Sequence, residues 1–185
     1  MLNGLLSVLL AYGLGCCNSA YYLLRWRDGR DIRDTGSANA GARNMGRLLG
    51  TGAFALVFVL DAGKGVLAVA LATGLAPTWA PVAALAVTLG HVWPLQLQGC
   101  GGRGVATALG VLLALSPALL LGLAACFTGC SVFCHRATPA GIAAFWLTGL
   151  LAIWLAPPAL AALTLLLAAL LSFTHRSTAR IEVTS

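Results

Sequence analysis

The stretch GVATALGVLLALSPALLLGLAACFTGCSVF, residues 104–133, decides how many times this chain crosses a membrane, because it is uncharged throughout and contains a proline near its middle. Its 30 residues are too many for one upright transmembrane helix of about 20 residues and too few for two full ones. Proline inside a helix removes a backbone hydrogen bond and ends or kinks the helix. The stretch therefore predicts two short or tilted helices that meet at Ser116-Pro117.

The remainder of the chain is similarly apolar. Of its 185 residues, 59% are hydrophobic and 9% are charged, whereas soluble domains carry about 25% charged residues. The apolar runs are long enough to cross a hydrocarbon layer as helices, which satisfy their own backbone hydrogen bonds. We therefore predict an all-α, polytopic integral membrane bundle of seven transmembrane helices, some of them short, that forms a single domain over residues 1–185. The predicted spans are Leu2–Leu24, Leu49–Thr73, Thr78–Leu95, two helices within Gly104–Phe133, Pro139–Leu155 and Pro158–Phe173.

Basic residues predict the orientation of these spans. Six of the eleven lysines and arginines lie between Arg25 and Arg47, and short loops rich in arginine stay in the cytoplasm. With that loop inside, the N-terminus is expected outside and the C-terminus in the cytoplasm. Seven spans also return Arg136, Arg176 and Arg180 to the cytoplasmic side, whereas a single helix over residues 104–133 would leave them outside.

The first polar loop reads DTGSANAGARNMGR, residues 34–47. Glycines let successive backbone N–H groups point at one place, and a loop of this kind that ends at a helix start can hold an oxyanion. A flexible connector built from turn-forming residues is the alternative. We favour an anion site because neutral hydrogen-bonding groups and arginines alternate with the glycines. Its members are Gly36, Ser37, Asn39, Gly41, Arg43, Asn44, Gly46 and Arg47.

A second loop, GCGGRGVATALG over residues 99–110, has the same composition. Gly101, Gly102 and Gly104 surround Arg103 just before a predicted helix, so backbone N–H groups and a guanidinium could bind a phosphate together. The spacing is not that of a Walker loop. His91 precedes this loop by about two helical turns, and there it is either a strut between helices or a group that steers a proton or hydroxyl.

The remaining polar residues suggest structural roles. Asp61 and Lys64 lie one turn apart within the second predicted span, where isolated charges are costly, and we expect them to form an ion pair that anchors the bundle. We interpret the cysteines spaced four apart from residue 126 to 134 as small packing residues, because small side chains let membrane helices approach closely. We expect neither a metal nor a cofactor.

The four motifs together resemble those of the bacterial acyl-phosphate:glycerol-3-phosphate acyltransferases, the PlsY family, of which the chain would be a divergent member. GSANAGARN looks like the family's G-S-x-N-x-G-x-x-N, and LDAGKG resembles D-x-x-K-G. GHVWP with GGRGVAT is similar to G-H-x-x-P and G-G-K-G-V-A-T, and HRSTAR stands where the family has H-R-x-N. The order and spacing of the motifs agree over essentially the whole chain.

This resemblance implies an enzyme of the bacterial inner membrane whose active site faces the cytoplasm. Such an enzyme transfers an acyl chain from acyl phosphate to the 1-hydroxyl of glycerol 3-phosphate and releases lysophosphatidate and phosphate, which begins phospholipid synthesis. The implied partners are both substrates, membrane lipid and a soluble enzyme that supplies acyl phosphate. Nucleic acid is not among them, and a monomer is expected.

Site residues follow from the resemblance by matching position. The expected catalytic residues are Ser37, His91 and Arg103. The expected phosphate-binding residues are Gly36, Asn39, Gly41, Asn44, Arg47, Gly101, Gly102, Gly104, His175 and Thr178.

The chain departs from the family pattern at three of its motif positions. Cys100 and Arg103 each replace a lysine, and Thr178 replaces an asparagine. Three alternatives therefore stay open: a paralogue that acylates another small phosphate or hydroxyl compound, a transporter of anions or lipids, and a membrane protein without catalysis.

Overall fold

The structure is a computed structural model that describes residues 1–181, with side chains described through Arg176. All regular elements in this range are helices, as the composition predicts. The chain divides into two compact units, the first from Met1 to Ala114 and the second from Leu115 onward.

The first unit contains both polar loops. Its helices are α1 (Leu2–Cys16), α2 (Ser19–Asp28), α3 (Ala42–Leu49), α4 (Thr51–Leu75), α5 (Ala80–Val92) and α6 (Val105–Leu115). Short 3₁₀ turns cover Ile32–Asp34, Pro77–Trp79 and Leu95–Leu97. Helix α1 packs against α4 and α5, and α3 packs against α4.

Helices α1 and α2 are separated by a break at Cys17-Asn18, which the sequence did not predict. The last carbonyls of a helix have no intrahelical partner, and here distant side chains bind them. Lys64 Nζ donates to Gly15 O at 3.1 Å and to Cys17 O at 2.8 Å. Gln96 Nε2 donates to Cys16 O, the carbonyl between those two. The first apolar run is therefore two helices held at their junction by α4 and by the segment after α5.

Close backbone approach brings this junction against α5. A Cβ atom on Gly15 would overlap Val87 O, and one on Gly90 would overlap Tyr12 O. Only glycine allows the two helices to approach this closely. The contact lies one turn before the α1–α2 break and next to His91, so it sets the distance between the break and the end of α5.

The second unit contains α7 (Pro117–Phe133), α8 (Ala137–Leu155) and α9 (Pro158–Ile181), with α8 packed against both others. The predicted break at Ser116-Pro117 is confirmed. Ser116 Oγ accepts a hydrogen bond from the backbone N–H of Leu119 at 3.3 Å, which is the usual N-cap interaction. Proline in the first turn costs no hydrogen bond because that N–H would have had no partner.

Within the described residues, five helical segments are long and apolar enough to cross a membrane: Leu2–Asp28, Thr51–Leu75, Pro77–Leu97, Ala137–Leu155 and Pro158–Arg176. Helices α6 and α7 are apolar but shorter, at 11 and 17 residues. Many large apolar side chains are exposed on these helices. In water such a surface would be unfavourable, whereas lipid accommodates it. The chain is therefore an all-helical, multi-pass membrane protein.

The α1–α5 contact generates a stability prediction. Gly90→Ala places a methyl group against the backbone of α1, and overpacking of this kind costs about 1–3 kcal/mol. Gly63→Ala is the matched control, because Gly63 is also within a helix and a Cβ there meets no other atom within 4 Å. Thermal unfolding in detergent should show a lower Tm for Gly90→Ala and an unchanged or higher Tm for Gly63→Ala. Equal Tm values would contradict the close approach.

Candidate functional site

The first loop, between α2 and α3, is anchored by two buried apolar side chains. Its Ile32 and Ala40 are fully buried, and they pack with Leu24, Met45 and Val57 in one apolar cluster. Because the apolar side chains of the loop point into this cluster, its polar groups remain on the outer side.

An ion pair stiffens the start of the same loop. The guanidinium of Arg33 donates to the carboxylate of Asp31 through Nε at 3.0 Å and Nη2 at 2.7 Å, and the Asp31 side chain also accepts the Arg33 backbone N–H at 2.9 Å. These hydrogen bonds to Arg33 hold the pKa of Asp31 below its ordinary value. The pair fixes the turn from which the rest of the loop extends.

Asn44 shapes the loop around Ser37. Its Oδ1 accepts the backbone N–H of Ser37 at 3.0 Å, and its Nδ2 donates to Ile32 O at 3.1 Å and Thr35 O at 2.9 Å. The side chain is fully buried, and a Cβ on Gly36 would overlap its Oδ1. The sequence motif predicts phosphate binding for Asn44 and Gly36, and that role stays a prediction. The hydrogen bonds of the Asn44 side chain lie within the protein and hold the backbone at Ser37.

The other residues of the first loop lie nearer to solvent. Ser37, Asn39 and Gly41 are half-buried, and Arg47 is exposed on α3. Gly41 is the N-cap of α3, and its carbonyl accepts the backbone N–H of Asn44 at 3.1 Å. A hydroxyl, an amide and a guanidinium therefore border the outer side of this loop.

The second loop folds back onto the end of α5. The backbone N–H of Gly101 donates to Val92 O at 3.1 Å, and that of Gly102 donates to His91 O at 3.0 Å. The sequence analysis expected these N–H groups to face a phosphate. They instead satisfy the final carbonyls of α5, which a helix leaves without intrahelical partners.

The backbone N–H groups of this loop that could still bind an anion are those at the start of α6. The first hydrogen bond of that helix runs from Ala108 N to Gly104 O at 2.8 Å, so the N–H groups from Val105 to Thr107 have no partner within the helix. A helix start of this kind favours negative charge. Arg103, which is half-buried, immediately precedes it.

Two hydrogen bonds join the two loops. Ala40 N donates to Gly101 O at 3.3 Å, and Arg33 Nη1 donates to Leu97 O at 2.9 Å. The loop that carries Ser37 and the loop that carries Arg103 therefore lie side by side in the first unit. This arrangement is what a site for two phosphate-bearing molecules requires.

A buried charged cluster lies behind the second loop. Lys64 Nζ is 3.0 Å from Asp61 Oδ1 and 2.8 Å from His91 Nδ1, and Ser19 Oγ donates to Asp61 Oδ1 at 2.9 Å. The ion pair expected from the sequence is present, and it extends to the histidine. His91 is only 2% exposed, and a Cβ on Gly102 would overlap its Nε2. The imidazole thus lies directly beneath the second loop.

Three residues that organise this site were missed from the sequence. Asn18 is fully buried, and its Nδ2 donates to His91 O at 3.0 Å. Gln96 binds the end of α1, and Arg33, which had been counted only as a cytoplasmic cation, joins the two loops. Asn18 and Gln96 each interrupt an apolar run, and that interruption was the available signal.

The C-terminal candidates belong to the second unit. His175 Nδ1 donates to Leu171 O at 2.7 Å. The side chain of Thr178 lies outside the described residues. The roles expected of both residues stay predictions.

Comparison with known proteins agrees with the motif pattern. A family model described as glycerol-3-phosphate acyltransferase matches residues 5–182. The chain belongs to the glycerol-3-phosphate acyltransferase family.

Relatives and solved structures place the chain within this acyltransferase family. It is 47% identical over 128 residues to a glycerol-3-phosphate acyltransferase of Thermoanaerobacter pseudethanolicus, an alignment that covers 69% of this chain and 64% of the relative. It is 41% identical over 131 residues to glycerol-3-phosphate acyltransferase 1 of a Bacillus cereus strain, with 69% and 72% covered. The chain thus spans slightly less than two thirds of the Thermoanaerobacter relative.

A crystal structure of PlsY (YgiH), an integral membrane glycerol 3-phosphate acyltransferase in its glycerol 3-phosphate form, is also similar. It superposes with a TM-score of 0.86 at 31% identity, covering 98% of this chain and 92% of that one. The lysophosphatidic acid form of PlsY gives a TM-score of 0.83 at 29% identity. The similarity therefore extends over nearly the whole fold.

Substitutions of Asn44 and Asn39 distinguish a residue that stabilises the loop from one at the surface of the loop. Asn44→Ala removes three hydrogen bonds and takes away the acceptor of the Ser37 backbone N–H, at a cost of about 1–3 kcal/mol. Asn39→Ala in the same loop should leave stability nearly unchanged. Thermal unfolding in detergent and limited trypsin digestion should show a lower Tm and faster cleavage for Asn44→Ala alone. A stable Asn44→Ala variant would contradict the buried role.

The lowered pKa of Asp31 predicts that its contribution to the stability of the fold is lost in acid. Because Arg33 lowers the folded-state pKa of Asp31 below its ordinary value of about 4, the ionised form stabilises the fold above about pH 4. That contribution is lost as pH falls through the lowered folded-state pKa. The Tm difference between the wild type and Asp31→Asn should therefore narrow from pH 7 to pH 3. Asp34→Asn, in the same turn but exposed, is the control. If the Tm difference between the wild type and Asp31→Asn were the same at pH 3 as at pH 7, the ionic contribution of Asp31 would be excluded.

Proposed function

We propose that this chain transfers an acyl chain from acyl phosphate to the 1-hydroxyl of glycerol 3-phosphate. The bond between the acyl carbon and the phosphate oxygen breaks and an ester forms. Lysophosphatidate is released, and the hydroxyl proton ends on the departing inorganic phosphate. The observation that supports the proposal is a pair of hydrogen bonds, Ala40 to Gly101 and Arg33 to Leu97, that holds the first loop against the second loop and the turn just before it.

The chemistry requires positioning more than it requires a reactive side chain. An acyl phosphate is an activated anhydride, so an acceptor hydroxyl held next to its carbonyl can attack directly. Arg103 and the start of α6 would bind one phosphate and stabilise the charge that develops on the oxygens. Ser37, Asn39 and Arg47 would bind the other substrate. A covalent intermediate on Ser37 is disfavoured, because activating the hydroxyl needs a base within hydrogen-bond reach and its sequence neighbours supply none.

We further propose that His175 and Thr178 of the C-terminal helix bind substrate phosphate, by analogy with the family motif. With that contribution, residues 1–185 would act as a single acyltransferase domain.

The proposed membrane arrangement follows from charge. Six of the eleven lysines and arginines lie between Arg25 and Arg47, which favours placement of this segment in the cytoplasm. With α6 and α7 counted as short spans, the chain would cross seven times, with the N-terminus outside and the C-terminus inside. The catalytic loops would then face the cytoplasm at the bacterial inner membrane. A soluble enzyme would supply the acyl phosphate there, and the acyltransferase would act as a monomer.

Activity of the purified protein tests the proposal. Palmitoyl phosphate and glycerol 3-phosphate are supplied in detergent, and lysophosphatidate and phosphate are measured. Arg103→Ala should lower kcat by about 10²–10³-fold, because it removes a preorganised charged donor. Ser37→Ala should lower kcat/KM by at least about tenfold, the equivalent of a hydrogen bond to a charged group.

Two substitutions outside the two loops serve as controls. Arg27→Ala removes an exposed cation, and Ser131→Ala removes an exposed hydroxyl on α7; both should keep full activity. Turnover with another acceptor but not with glycerol 3-phosphate would identify a paralogue of changed specificity. Counterflow of phosphate in proteoliposomes without acyl transfer would identify a transporter. Absence of both activities, with the fold intact, would indicate a membrane protein without catalysis.

A further inference from the structure

The ammonium of Lys64 makes an unusual set of contacts with a histidine. It lies within hydrogen-bonding distance of Gly15 O, Cys17 O, Asp61 Oδ1 and His91 Nδ1. Lys64, Asp61 and His91 are buried. A charged group in such a place persists only when it is fully paired, and here four acceptors surround the three N–H donors of the ammonium.

This contact determines which nitrogen of His91 carries a proton. A lysine ammonium has three donors and no acceptor, so in this contact only His91 Nδ1 can accept. At 2.8 Å it is, with Cys17 O, the nearest of the four acceptors, ahead of Asp61 Oδ1 at 3.0 Å and Gly15 O at 3.1 Å. A neutral imidazole that accepts at Nδ1 carries its proton on Nε2. A second proton, on Nδ1, would face the ammonium directly. Asp61 Oδ1 is 3.7 Å from Nδ1, but this carboxylate is already paired with Lys64 and Ser19.

The proton on Nε2 faces the second loop. Nε2 lies against Gly102, at a position that any side chain there would occupy. Among the described residues, the hydrogen bonds of His91 run through its Nδ1 and its backbone carbonyl, and none of them uses Nε2. A donor in a residue that is 98% buried is therefore directed at the loop without a protein acceptor.

We propose that His91 is a hydrogen-bond donor to the phosphate held by the second loop, and that Lys64 is the positioning residue that keeps its proton on Nε2. The inference rests on the proposed function for the identity of the phosphate. It also distinguishes His91 as a hydrogen-bond donor from His91 as a general base. A general base needs a lone pair on Nε2, and the lysine contact removes it. His91 then adds a side-chain N–H to Arg103 and to the start of α6.

The proton position can be measured in the wild-type protein. Protein labelled with ¹⁵N-histidine is prepared in detergent, and the His91 signals are identified by their loss in His91→Gln. The expected spectrum has a protonated Nε2 and an unprotonated Nδ1. A proton on Nδ1, or an imidazolium at neutral pH, would overturn the proposal. In Lys64→Met the proton should distribute over both nitrogens, and an unchanged spectrum would show that Lys64 does not fix the tautomer.

The donor role is tested with inorganic phosphate as the probe. Gln can place an amide N–H near the position of Nε2 but cannot act as a base, whereas Leu provides no donor. Phosphate affinity, measured by calorimetry, should fall at least about tenfold in His91→Leu, as for a lost hydrogen bond to a charged group. His91→Gln should stay within about threefold of the wild type, an interval smaller than the loss of one such hydrogen bond.

Kinetics then separate this role from a structural one. If the chain catalyses acyl transfer, His91→Gln should keep most of kcat while His91→Leu loses it, and His135→Leu, at an exposed histidine, should change nothing. Equal loss in both His91 variants, with folding intact, would indicate a base and overturn the proposal. If the chain shows no acyl transfer, the proposed reaction fails, whereas the nitrogen spectrum and phosphate binding still decide the role of His91.

Discussion

The first unit depends on one buried ammonium. Lys64 projects from the middle of α4, and its Nζ contacts the ends of α1 and α5, with Asp61 as its counter-ion. A charge inside a membrane helix is costly unless it is paired and hydrogen-bonded, so the chain must bring acceptors to it. The acceptors are the last carbonyls of α1, which equally need donors. The lysine and the helix end therefore satisfy each other, and the break between α1 and α2 results.

The position of both loops follows from that junction. Once α1 ends beside Lys64, Asn18 binds the backbone carbonyl of His91, and the same carbonyl accepts the N–H of Gly102. The second loop is thereby held against the end of α5. Ala40 then pairs with Gly101, which ties the first loop to the second. A chain of contacts thus runs from a charge in the apolar interior to the two polar loops.

The sequence predicted those features that short stretches determine by themselves. Proline and serine define the break at residues 116–117, glycine marks the start of α6, and the spacing of Asp61 and Lys64 predicts their ion pair. Features that distant residues determine were not predictable in the same way. The break at Cys17-Asn18 depends on Lys64 and Gln96, and the N–H groups of Gly101 and Gly102 bind α5 because that helix ends at Val92. Asn44 lies in a motif that predicts ligand binding, yet the three hydrogen bonds of its side chain are made to residues of the first loop.

The most direct measurement of the central claim is an experimental structure with both phosphate groups in place. The chain would be crystallised with glycerol 3-phosphate and a non-transferable acyl phosphonate. The account predicts two phosphorus atoms in the region where the loops meet, one within hydrogen-bonding reach of Ser37 and the other within reach of Arg103 and His91 Nε2. Ligands bound away from these loops, or a His91 side chain turned from the phosphonate, would contradict it.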